Sequence, residues 1–138
     1  MTDTSQFTLD QLLSENLSLC ILHGKKRVFE SNESALKPLL ECIRQYPDGL
    51  PGCVAYDRVV GLAAAILFER LGVADVHALT GSRSAANRFR ESGMACQFEQ
   101  TVLEILNRER TGQCPMEELA SRSEDATSFL KTMLCKSG

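Results

Sequence analysis

The sequence predicts an α/β fold, a three-layer α-β-α sandwich built on a mixed sheet. Two observations carry that prediction. The spacing of apolar residues switches repeatedly between two, the repeat of a half-buried strand, and 3.6, the repeat of an amphipathic helix. Two strand-then-helix units also follow one another directly, from Gly52 to Leu71 and from Asp75 to Glu91, and each helix stops at a glycine, Gly72 or Gly93. Consecutive units of this kind pair their strands in parallel through right-handed crossovers, and a hairpin nearer the N-terminus supplies the antiparallel part.

Each element has its own signal. Phe7 to Leu17, with Leu9, Leu12 and Leu13, opens the fold as a short helix. Ser18 to Leu22 and Arg27 to Ser31 are strands flanking the turn His23-Gly24-Lys25-Lys26. Lys37 to Tyr46 is a helix, because Pro38 is tolerated in a first turn and Leu39, Leu40 and Ile43 share a face; Pro47-Asp48-Gly49 ends it. Gly52 to Tyr56 is a strand and Arg58 to Leu71 a helix. Asp75 to Leu79, Arg83 to Glu91 and Met94 to Phe98 then read as strand, helix and strand. Val102 to Ile105, a loop and a helix from Glu124 to Leu134 complete the chain. No internal repeat or low-complexity tract is present.

Composition bounds the function. With 138 residues, 43% of them hydrophobic, the chain has the size of one domain over 1–138 that buries a core without metal or disulfide support. The longest apolar run, Leu62 to Phe68, falls far short of the ~20 residues a bilayer demands. No basic segment precedes an apolar one near the start, so a soluble, unsecreted protein with no membrane partner is expected. Cys20, Cys42 and Cys53, three of the six cysteines, sit in patterned apolar segments as small buried hydrophobes, which favours a reduced, cytoplasmic protein. A net charge of −3 gives no bulk attraction for nucleic acid, and the basic spot Lys25-Lys26-Arg27 belongs to a hairpin turn.

The hairpin, the helix, the run Val54 to Leu67 (VAYDRVVGLAAAIL), the following βαβ unit and the late stretch Ile105 to Ala120 carry a resemblance. From about Leu12 to Leu134 the chain resembles a small family of uncharacterised bacterial and archaeal proteins, grouped as a domain of unknown function, with a cytidine-deaminase-like fold. The sharpest motifs are Asp57-Arg58-Val59-Val60-Gly61, Asn107-Arg108 and Cys114-Pro115-Met116-Glu117. Deaminases of that fold hold zinc through H-x-E and P-C-x-x-C. By order along the fold the first element falls at Ser31-Asn32-Glu33-Ser34, without histidine or cysteine. The second falls at Asp57 to Gly61, with Arg58 and Gly61 in the thiolate positions. Neither residue ligates zinc, the histidines are His23 and His77 alone, and no CxxC occurs. No metal, no cofactor and no zinc-dependent deamination are therefore expected.

The candidate site residues each carry two readings. Asp57 at a strand-to-helix junction caps the helix, or it contacts a ribose hydroxyl or a substrate amine beyond the strand's carboxyl end. Arg58 forms a surface ion pair or holds a phosphate. Cys114, ahead of Pro115 at a helix start, packs, or it ionises in the helix dipole as a catalytic thiolate. In Thr80-Gly81-Ser82-Arg83-Ser84, Ser82 caps a helix, or Ser82 and Arg83 bind an anion. Asn107, Arg108 and Arg110 are loop residues or line a polar pocket. The leading function is a zinc-free module binding a nucleotide-like small molecule near Asp57. The rival is a metal-free enzyme or redox protein using Cys114, and the third is a structural domain that forms a homodimer. Fold class does not choose among them.

Overall fold

A computed structural model describes residues 7–33 and 36–103. Among these the elements run α1 (Leu9–Ser14), β1 (Leu19–His23), β2 (Lys26–Ser31), α2 (Lys37–Gln45), β3 (Val54–Val60), α3 (Leu62–Leu71), β4 (Asp75–Ser82), α4 (Arg83–Ser92) and β5 (Ala95–Val102). The predicted helix Glu124 to Leu134 and the candidates Asn107, Arg108, Arg110 and Cys114 lie outside the described residues. No described helix is long and apolar enough to cross a membrane.

The five strands form one mixed sheet in the order β2-β1-β3-β4-β5. β1 pairs antiparallel with β2, through the predicted turn, and with β3 on its other side. β3, β4 and β5 are parallel, because each return to the sheet passes through a helix, α3 or α4. Alternation along β1 separates two cores. Leu19 and Ile21 join the large cluster with α2, α3 and α4, whereas Cys20 and Leu22 join Phe7, Leu9, Leu12, Leu17 and Tyr56 beneath α1. The sheet is thus covered by α1 on one face and by α2, α3 and α4 on the other.

The helices end as their sequences dictate. Thr8 accepts the Gln11 N–H at 3.1 Å to cap α1. Gly72 (φ 73°) and Gly93 (φ 78°) adopt the left-handed conformation that closes α3 and α4. Every residue from Ala63 to Phe68 is buried, so α3 is a core helix that is apolar around its whole circumference.

Several boundaries differ from expectation: α1 is shorter than Phe7 to Leu17, β5 runs past Phe98 to Val102, and two others bear on the site. β3 does not end at Tyr56: it runs through Asp57 and Arg58 to Val60, and α3 begins at Leu62 with Gly61 as its cap. Asp57 therefore does not cap that helix, and Arg58 does not open it. The β-branched Val59 and Val60 stay extended because they pair with Thr80 and Gly81 of β4, which satisfies their backbone in the ladder. β4 likewise continues through Thr80 and Gly81, read as a turn, to Ser82. Gly81 is buried against the ring of Phe98, where a Cβ has no room.

Candidate functional site

The parallel strands β3, β4 and β5 all end on one edge of the sheet, and α3 and α4 begin there. Ser31, Leu19, Asp57, Ala78 and Phe98 lie side by side across the strands, at the end of β2 and the start of β1 but at the middle of β3, β4 and β5. Asp57 holds the centre of the row, on the middle strand. Its Oδ1 accepts the Arg58 N–H at 2.8 Å. Asp57 is half-buried. Burial pushes it from 3.8 up to about 7, against the opposing pull of the Arg58 and Val59 N–H groups and the Arg58 charge. A carboxyl so perturbed, three residues short of the carboxyl end of the central strand, is a site candidate on physical grounds.

The other predicted residues are distributed around this edge. Arg58 donates from Nε to the Leu17 carbonyl at 2.7 Å, tying β3 to the segment between α1 and β1. Ser82 is fully buried and caps α4 by accepting the Ala85 N–H at 3.1 Å, with the Ser84 hydroxyl 3.1 Å from its own. Arg83 is exposed in the first turn of α4. Across the row, the Ser18 hydroxyl lies 3.0 Å from the Ser31 carbonyl and 2.6 Å from that of Glu33, while the Glu33 N–H donates to Ser31 Oγ at 3.1 Å. These bonds fix the chain as it leaves β2. Asp57 and Arg58 thus lie within β3, Ser82 and Arg83 lie where β4 passes into α4, four and five residues beyond Ala78, the β4 neighbour of Asp57, and Asn107, Arg108 and Cys114 fall outside the described residues.

Chemical options at this edge are narrow. Among the described residues, no group of three histidine, cysteine, aspartate or glutamate side chains is arranged to hold a metal ion. Burial raises the described thiols above their ordinary value, Cys20 to about 11 and Cys42 to about 12, with Cys53 and Cys96 also shifted upward. Protonated thiols are poor nucleophiles and poor ligands. What the edge offers is hydrogen bonding and charge: a carboxyl able to hold or release a proton near neutrality, helix starts and an exposed guanidinium.

A second cluster, on the α1 face, was not singled out from the sequence. Tyr56 stacks on His77 at 4.8 Å between ring centroids and 13° between planes. Phe7 meets Tyr56 edge-on at 5.0 Å and 61°. The Arg27 guanidinium lies 5.0 Å over the Phe7 ring while gripping Glu15 with two bonds of 2.6 and 2.7 Å. At the other end, His77 Nε2 sits 3.0 Å from Asp75 Oδ2, to which Gln97 also donates at 3.3 Å. A cavity of about 340 Å³ opens over Phe7, Tyr56 and His77. The signal was faint, since Tyr56 and His77 meet only through the register of β3 with β4.

A family model described as a domain of unknown function (DUF1893) matches residues 8–134. Among solved structures, the crystal structure of a DUF1893 family protein from Thermotoga maritima, at 2.70 Å resolution, is similar with a TM-score of 0.85 and 25% sequence identity, covering 99% of this chain and 97% of that one. None of the curated proteins matches the chain.

Proposed function

The chain belongs to the DUF1893 family, and from that premise we propose that it is a small-molecule-binding module whose ligand, a nucleotide-like anion, sits at the carboxyl ends of β3 and β4. The observation that carries this reading is Asp57: a carboxyl on the central strand, displaced to about 7 by burial, three residues before the carboxyl end of β3. Ligands of open α/β sheets collect at such edges. Asp57 supplies an acceptor for a ribose hydroxyl, and the first turn of α4 with Arg83 supplies donors for a phosphate. The resemblance to the cytidine-deaminase-like fold supports a nucleoside-shaped crevice here, and Arg58 and Gly61 supply no zinc ligand for its hydrolytic chemistry. Binding without zinc-dependent deamination is the resulting function.

A thermal-shift panel of purine and pyrimidine mononucleotides tests it. A ligand at one hundred times its Kd adds ~2.7 kcal/mol of stability, which is a shift of several degrees in a domain of this size. At least one nucleotide is expected to raise the melting temperature, and a flat response across the panel would refute the proposal.

A further inference from the structure

We propose that the cavity on the α1 face is a separate binding site for a small planar organic cation. It does not depend on the nucleotide reading. Beside Leu9, the residues Phe7, Thr8, Asp10, Tyr56, His77 and Glu99 line it, so an aromatic cluster and a leucine form its apolar part and two carboxylates its charged part. No lysine or arginine is among its lining residues within the described part of the chain. Arg27, the cation of the aromatic row, is matched by Glu15 and turned onto Phe7.

The floor is held in place before any ligand arrives. Tyr56 is buried, fixed by the edge of Phe7 and by the stacked ring of His77. His77 is anchored in turn by Asp75, whose second oxygen, Oδ1, is buried with no hydrogen-bond partner among the described residues. Asp75 thus backs His77, and the rim carries the carboxylates of Asp10 and Glu99. The rim carboxylates of Asp10 and Glu99 favour a cation, and the aromatic cluster beneath them gives it an apolar floor. Planarity matches the stack, and the volume admits a ligand about the size of one or two rings. An anion is disfavoured by the same groups, which separates this site from the edge at Asp57.

The test titrates the full chain with benzamidine and with its neutral isostere benzamide, reading backbone amide shifts by NMR. Benzamidine is expected to move the resonances of Thr8, Asp10, His77 and Glu99 in the millimolar range, with benzamide at least about fivefold weaker. Glu99→Gln, an exposed substitution that leaves the floor intact, is expected to weaken benzamidine about threefold or more without changing the response to any nucleotide. Three results would overturn the proposal: no shifts at these residues, equal binding of the two probes, or shifts confined to the edge around Asp57 and Ser82.

Discussion

A carboxyl at the centre of a sheet is governed by the contest between desolvation and the hydrogen bonds it accepts, and at Asp57 desolvation wins. The sign of the consequence is fixed. The folded state holds the proton more tightly than the unfolded chain, so the stability this contributes is full below the ordinary value of 3.8 and is lost as pH rises to about 7. Glu15 works in the opposite sense and in another window. Arg27, then Gln11, hold its carboxyl down to about 2, so its contribution is present above 4.5 and fades as pH falls toward 2. Denaturation of wild type and Asp57→Asn at about pH 4 and about pH 8 checks the Asp57 account. The variant is expected to gain on the wild type at the higher pH, by on the order of 1 kcal/mol or more, and an unchanged difference would contradict the burial of this charge. The sequence made Asp57 conspicuous as an acid at the end of an apolar run, but a cap and a buried strand residue look alike there. Only the pairing of Val59 and Val60 with β4 tells them apart.

At the scale of the element, α3 is the helix on which the large core is built. Phe68 is fully buried in it, and Phe68→Ala is expected to cost ~3–5 kcal/mol in a urea titration. Ser82→Ala removes the side-chain cap of α4 and is expected to cost ~1 kcal/mol, a smaller loss because one orphan N–H is at stake rather than a packed ring. Equal losses for the two would contradict this ranking of packing over capping. The same packing explains why the start of α3 was misplaced from sequence. A helix with no polar face has no phase to announce its first turn, and Val59 and Val60 run into Ala63 to Phe68 with Gly61 as the main break. By contrast α2 and α4, each with an exposed side, lie within one residue of their expected ends. The hairpin was equally plain, since its turn residues separate the apolar run of β1 from a short second strand carrying Val28 and Phe29.

For the molecule as a whole, the mixed sheet was legible because hairpin and βα units each dictate a pairing direction. Which side chains become neighbours was not, because Asp57 beside Leu19 and Ala78, and Tyr56 beside His77, follow from register between strands distant in sequence. The missing ligand set does follow from sequence. Elemental analysis of the purified protein is expected to find no stoichiometric zinc, and one tightly held zinc per chain would contradict the motif assignment.

The central claim, an anion site at the edge beside Asp57, is tested most directly by calorimetric titration of a nucleotide that stabilises the protein into wild type, Asp57→Asn and Arg83→Ala. Arg83 is exposed and Asn is a neutral near-isostere of the protonated acid, so both variants are expected to fold. Each is predicted to bind about tenfold more weakly than wild type, the effect of one lost charged contact. Wild-type affinity in both variants would contradict the account and leave Asp57 as a buried acid without a ligand.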